Sequence, residues 1–261
     1  MTMGGRWAGR FRALPDVIVR RAVAAWNRAV TRLRGAEPPD PHEPAGLREV
    51  RARARARRTD ISRHLPTLYL EAVAASPRLI VELGTRGGDS TFVWERVAAL
   101  TGATVLSVDV DDCSHVSSFP GWHFVRSDDV AFAAAFPDWC RERGIEPRVD
   151  VLFVDTSHAL EHTRAELAAW LPLLAPRGRA IFHDTNMRAF YRRGDGTVGL
   201  GSTVNARGVM EALEERLGRP LDERRPLHLL AGGWVVRHDP LCSGLTVLER
   251  VSPPGKAGAD G

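Results

Sequence analysis

The chain has 261 residues, 44% of them hydrophobic, enough for one substantial domain of about 200 residues plus an appendage. No run of about 18 uncharged apolar residues occurs, which excludes a membrane-spanning helix. The arginines Arg6, Arg10 and Arg12 precede no apolar segment of the secretory kind, and three cysteines (Cys113, Cys140, Cys242) without CxxC spacing make no disulfide framework, so a reducing, cytoplasmic setting is expected.

The net charge of +4 is unevenly spread: residues 1–58 hold 14 arginines against five acids, while the remainder holds 22 basic and 27 acidic residues. A basic arm thus precedes a mildly acidic body, and a nucleic-acid-binding body is disfavoured because phosphate neutralisation needs basic charge on the folded surface.

In chain order, Pro15 to Leu33 reads as an amphipathic helix with Val19, Val23, Trp26, Val30 and Leu33 on one stripe, available for subunit docking. Gly35–Pro44 carries four prolines and reads as a linker, and the RARARARR run (Arg51–Arg58) as a solvated helix or arm. From Ile61 strands and helices alternate: helix 65–75, strand LIVEL (Leu79–Leu83), helix 90–100, strand 103–110, strand 123–127, helix 130–143, strand 149–155, helix 160–174, strand 178–184 and helix 205–217. Two further runs, Leu227–His238 and Gly244–Val251, have no helix between them and are expected to form an antiparallel edge pair, with Trp234 in its core; the tail 252–261 is expected to be disordered. The predicted fold is α/β: a doubly wound, mostly parallel, seven-stranded sheet with a helical N-terminal arm, divided as 1–58 arm and linker, 59–251 domain and 252–261 tail.

In such sheets ligands bind at the carboxyl ends of the strands. The first strand ends in V-E-L-G-T-R-G-G-D-S (Val81–Ser90), whose glycines let the backbone approach a ligand and open the next helix. Arg86 stands where a dinucleotide GxGxxG fingerprint needs glycine, and Glu82 before the turn repels a pyrophosphate but suits a cationic amine. Asp109 ends the second strand, placed for ribose hydroxyls, and Asp128 follows the third, placed for an adenine amino group. Together these predict cofactor binding by Glu82, Gly84, Thr85, Gly88, Ser90, Asp109 and Asp128.

The E-x-G-x-x-x-G loop, Asp109 and the closing antiparallel strands resemble the class I S-adenosylmethionine-dependent methyltransferases over roughly residues 61–251. VDTSHALEHTRAEL and IFHDTN resemble the metal-dependent branch, which contains cephalosporin-hydroxylase-like proteins and natural-product sugar O-methyltransferases. The resemblance implies that Asp155 and Asp184 hold Mg²⁺ and that His158 is the general base. His183 stands where relatives commonly have a carboxylate: either it points elsewhere, or the site uses fewer acids and more water, or with His183 as a ligand it favours another divalent ion such as Mn²⁺. The implied chemistry is coherent, since a hard cation polarises an alcohol O–H and a nearby imidazole removes the proton.

Other readings sit beside these. Asp155 could cap the following helix, and Asp184 could be a turn residue before Asn186. His158-Ala159-Leu160-Glu161-His162 matches the zinc-protease pattern H-x-x-E-H, in a chain too short for that architecture. Met187–Val204, with Phe190, Tyr191, Arg192 and Arg193, reads as an acceptor-binding lid, and His64 as a residue near the cofactor. The expected acceptor is a small molecule, a glycosylated metabolite or nucleotide sugar, bound by a homo-oligomer. The alternatives are a cofactor-binding partner of a hydroxylase and a membrane- or polyanion-tethering protein working through the arm.

Overall fold

The computed structural model describes residues 16–34 and 41–251. The tail 252–261, the arginines Arg6, Arg10 and Arg12, and most of the expected linker lie outside the described residues. Elements run in the order α1 (Asp16–Arg34), α2 (Ala45–Ala56), α3 (Leu65–Ala75), β1 (Leu79–Leu83), α4 (Asp89–Thr101), β2 (Thr104–Asp109), β3 (Trp122–Arg126), α5 (Asp129–Glu142), β4 (Val149–Val154) and α6 (Leu160–Trp170). They continue with β5 (Leu174–His183), β6 (Phe190–Arg192), β7 (Val198–Leu200), α7 (Gly208–Leu217), β8 (Leu227–Ala231), β9 (Trp234–Asp239) and β10 (Leu245–Arg250).

Eight strands form one sheet in the order β3-β2-β1-β4-β5-β10-β9-β8. The first five are parallel, and β10 runs antiparallel to both β5 and β9. The parallel strands are buried on both faces and read as apolar runs, LIVEL in β1 and VDVLFV in β4. On one face, Val50 of α2, Leu68 of α3 and Trp94 of α4 pack with Ile80 and Phe153; on the other, Phe136 of α5, Trp170 of α6 and Leu213 of α7 pack with Val81 and Leu83. The strand order reverses at β1, between β2 and β4, so the crevice for a ligand opens at the carboxyl ends of those strands.

The doubly wound, mostly parallel sheet is as expected, with an eighth strand. Leu227–His238 is two strands, because Gly232 and Gly233 take positive φ (54° and 81°) and fold the run into the β8–β9 hairpin. Residues 51–56 of the arginine-rich run fold as the end of α2, with Arg57 and Arg58 beyond it, and this helix belongs with the body: Leu47 and Val50 are in the core. Within Met187–Val204, β6 and β7 pair as a two-stranded ribbon. Helix α1 rests on it: Asn27 donates from Nδ2 to the Val198 carbonyl (2.9 Å) and accepts the Val198 amide at Oδ1 (2.8 Å), while Trp26 Nε1 donates to Gly196 O. No helix among the described residues is long and apolar enough to cross a membrane.

Candidate active site at the strand ends

The glycine loop after β1 is built by backbone contacts. Gly84 has φ +85°, and a Cβ there would overlap the carbonyl oxygen of Asp155, so the ends of β1 and β4 approach to a distance only glycine allows. The Asp155 amide donates to Leu83 O, locking the two ends in step. Asp109 accepts the amides of Thr85 (2.7 Å) and Arg86 (3.1 Å) on Oδ2 and of Asp111 on Oδ1. Burial works to raise the Asp109 carboxyl, but these amides outweigh it and hold it below the ordinary range. Gly88, also at positive φ, opens α4.

A cavity of about 310 Å³ lies over these strand ends, walled by Gly84, Arg86, Asp109, Asp128, Asp155 and His162 among others. Asp128 caps α5 through its bond from the Ala131 amide and faces the cavity as well. Gly84, Asp109 and Asp128 are thus brought together. Glu82 lies elsewhere. Strand alternation turns it onto the α4 face, fully buried, where it accepts from Thr91 Oγ1, Trp94 Nε1 and Ser107 Oγ. Burial pushes its carboxyl up to about 7 despite those donors. Ser90 joins this buried group, Thr85 contributes its amide through Asp109, and neither lines the cavity.

Asp155 follows β4, Asp184 follows β5, and the parallel pairing of those strands brings them together. His158, at φ +59°, turns back so that Nε2 lies 2.8 Å from Asp184 Oδ2 and 3.4 Å from Asp155 Oδ1. Asp155, His158 and Asp184 each offer a ligand atom within 4.8 Å of one another. His183, 1% exposed, lies beneath them with Nδ1 3.2 Å from Asp155 Oδ1 and 3.4 Å from Asp184 Oδ1. Burial alone would raise both carboxyls and lower both imidazoles, yet the opposite charges prevail. Asp155 and Asp184 are held low, His183 well above its usual value, and His158 up to about 9.

This donor set fits a divalent cation. The buried Asp184 carboxylate, the half-buried Asp155 carboxylate and an imidazole converge, and Asp184 Oδ1 is buried without a hydrogen-bond partner, as a ligand atom would be. The nitrogen donors suit Mn²⁺ at least as well as Mg²⁺.

The H-x-x-E-H pattern does not assemble. His158 precedes α6 and turns to Asp155 and Asp184, whereas His162 bonds Asp129 (3.0 Å) and approaches Glu166 (3.5 Å). Glu161 is exposed and paired with Arg164. Asp129 and Glu166 are both buried, and burial, with the Asp129 carboxylate alongside, pushes the Glu166 carboxyl up to about 9. This His162–Asp129–Glu166 group was not singled out from the sequence; the i, i+4 spacing of His162 and Glu166 on α6 was its available signal. His64 is fully buried, its Nε2 2.8 Å from Leu241 O and its ring 5.8 Å from that of His183, behind the carboxylates and away from the cavity. In the ribbon, Arg193 is committed to Val198 O, Tyr191 Oη and Arg58 O, and Arg192 is exposed.

Residues 81–185 match a family described as a methyltransferase domain. Among solved structures, the O-methyltransferase of Bacillus cereus in complex with SAH has a TM-score of 0.52 at 16% identity, over 87% of this chain and 99% of that one. TomG of Streptomyces achromogenes, an O-methyltransferase involved in tomaymycin synthesis and bound to SAM, has a TM-score of 0.53 at 13% identity, over 87% and 98%. MycE, a methyltransferase from the mycinamycin biosynthetic pathway in complex with Mg, SAH and mycinamycin VI, has a TM-score of 0.51 at 18% identity, over 98% and 69%. At these identities the likeness concerns the fold. Among curated proteins, uncharacterized protein y4gI of Sinorhizobium fredii is 33% identical over 138 residues; the match takes 48% of this chain and 15% of that protein. Residues 81–185 thus match the methyltransferase-domain family, and the fold is that of these methyltransferases.

Proposed function

We propose that the chain is an S-adenosylmethionine-dependent, divalent-metal-assisted O-methyltransferase acting on a hydroxyl of a sugar or polyol group in a specialised metabolite. The observation that carries this reading is the convergence of Asp155, His158 and Asp184 beside a cavity walled by Gly84, Asp109 and Asp128.

S-adenosylmethionine, when bound, supplies a methyl group on a sulfonium. Gly84 lines the cavity that would take it, Asp109 and Asp128 offer carboxylate oxygens to its hydroxyl and amino groups, and the glycine loop fixes Asp109 through two amides. A divalent cation, when held by Asp155 and Asp184, supplies polarisation of an acceptor hydroxyl. His183 braces the two carboxylates from below, and His158 Nε2 is the atom placed to take the acceptor's proton. Between two uncompensated carboxylates that imidazole stays protonated at neutral pH; compensating their charge removes the cause of the upward shift and frees the nitrogen to act as a base.

The acceptor class rests on the vicinal oxygens that such a site would take and on MycE, whose complex contains mycinamycin VI. The ribbon β6–β7, which follows Asp184 in the chain, is assigned to acceptor binding. Three buried free thiols suit a reducing cytoplasm. The working division is the arm 1–58 and the body 59–251, with α2 of the arm packed into the body's core, and the opposite charges of arm and body favour a homo-oligomer over a polyanion tether.

Calorimetric titration of S-adenosylmethionine, repeated with Mg²⁺, Mn²⁺ and EDTA and on Asp155→Ala, tests the reading. Micromolar cofactor binding plus a separate ion signal lost in Asp155→Ala is the expected result. Cofactor binding without an ion signal overturns the metal assignment, and no cofactor binding overturns the whole.

A further inference from the structure

Three carboxyl groups and one imidazole meet where the start of α5 packs on α6, and none of them belongs to the Asp155, His158 and Asp184 group. Asp128, Asp129 and His162 each offer a ligand atom within 4.8 Å of one another. Asp129 Oδ1 lies 3.0 Å from His162 Nε2, and Glu166 Oε1 lies 3.5 Å from the same nitrogen. Asp128 is exposed at the cavity wall, His162 is half-buried, and Asp129 and Glu166 are 5% and 1% exposed.

Carboxylates elsewhere in the interior are compensated. Glu82 accepts from three side-chain donors, Asp155 and Asp184 face two imidazoles, and the half-buried Glu71 pairs with Arg179 and Arg237. Here the support is thin. Thr156 Oγ1 donates to Glu166 and the Ala131 amide to Asp128, but among the described residues no arginine or lysine pairs with any of the three acids. Asp129 Oδ2 and Glu166 Oε2 are both buried without a hydrogen-bond partner, although the two carboxyl groups lie alongside each other. Bare carboxylate oxygens repel one another in a dry interior, so the group calls for a positive charge beyond the one imidazole.

We propose that Asp129, His162 and Glu166, with Asp128 at the rim, form a second divalent-cation site, of the kind that takes Zn²⁺, clamping the start of α5 to α6. One imidazole nitrogen and three carboxylates suit four-coordinate Zn²⁺ better than Mg²⁺. Nε2 is the ring nitrogen turned toward the acids, and the ion would replace its hydrogen bond to Asp129. Asp128, Asp129 and His162 also line the cavity, so an ion held there removes negative charge from its wall. The site shares no ligand with Asp155, His158 and Asp184 and does not depend on the methyl-transfer reading. A proton shared by Asp129 and Glu166 is the competing occupant, and the test separates the two.

Equilibrium dialysis against Zn²⁺, with the bound metal counted by elemental analysis, is run on four chains. These are the wild type, Asp155→Ala/Asp184→Ala, and that double variant carrying either Glu166→Gln or His162→Ala. The double variant is expected to keep one ion per chain. Losing even an outer partner of a metal site costs about 10- to 100-fold in affinity, so each added substitution should weaken the remaining site by about 100-fold or more. Zn²⁺ at about 100 times Kd should raise the Tm of the double variant by about 5–10 °C and leave both triple variants unmoved. Glu166→Gln keeps the shape of the side chain and carries the test if His162→Ala does not fold. A double variant that retains no ion overturns the proposal and leaves the proton in place. An ion retained with equal affinity in the triple variants also overturns it, since that ion is bound elsewhere. If the wild type binds one ion and the double variant none, this site alone falls; if the double variant binds as many as the wild type and the triple variants lose one, this site stands and the Asp155 metal assignment falls.

Discussion

Gly84 and Asp155 meet backbone to backbone: the α-carbon of the first faces the carbonyl oxygen of the second with no room for a methyl group between them. The glycine loop and the acidic strand end are therefore one mechanical unit, joined also by the bond from the Asp155 amide to Leu83 O. Gly84→Ala adds a clash and a strained φ at once. It is expected to destabilise the chain by about 2 kcal/mol or more, read as a lowered Tm, and to weaken cofactor and ion binding together. A variant of wild-type stability with intact binding would refute that coupling.

His158 and His162 belong to different groups, and their substitutions should separate. His158→Ala is expected to lower kcat by about 10²- to 10⁴-fold while leaving cofactor affinity near wild type, because Nε2 faces Asp184 and Asp155. His162→Ala should act on cofactor binding, since His162 lines the cavity beside Asp128. Equal effects of both on kcat would count against the division.

Glu82 gives a pH signature unconnected with catalysis. Its folded carboxyl is raised by burial to about 7 against an ordinary 4.5. Between those values the unfolded chain has released the proton that the folded chain retains, so stability falls as pH rises from about 4.5 and levels off above about 7. Glu82→Gln should flatten that part of the stability curve in denaturant titrations at several pH values; an unchanged slope would assign it to other groups.

Asn27 holds the β6–β7 ribbon by a pair of bonds to the backbone of one residue, Val198. Asn27→Ala removes both, and amide exchange over residues 196–200 should quicken while global stability falls by only about 1–2 kcal/mol. Unaltered exchange there would show that α1 does not restrain the ribbon.

The apolar runs made the parallel strands legible, because a strand buried on both faces announces itself by composition: Leu79–Leu83 and Val149–Val154 were read within a residue of their bounds. What a strand's composition cannot announce is which face a residue at its end will take. Glu82 stands one turn before the glycine loop, yet alternation aligns it with Ile80 toward α4, where Trp94 and Ser107 supply its donors. Helical spacing does not reach back to His158, which precedes α6 and has a left-handed backbone, so the i, i+4 relation to His162 does not place them side by side. The group around Asp155 was legible because both acids end neighbouring strands; the partnership of Asp129 with Glu166 joins residues 37 positions apart on two helices and left no local trace.

β10 occupies an interior place in the sheet although it is made after every other described element. Its Leu245 is paired with His183, the residue that braces the two carboxylates. During synthesis β5 therefore emerges with one flank bare, and it gains its second neighbour only after some sixty further residues have been added. A nascent chain that stops short of residue 245 can assemble the glycine loop and the Asp109 side of the crevice but lacks the strand that seats His183 and Asp184. The half of the crevice that would handle the nucleoside can thus mature before the half that would handle the ion, and ribosome-released fragments should differ in which of the two they bind.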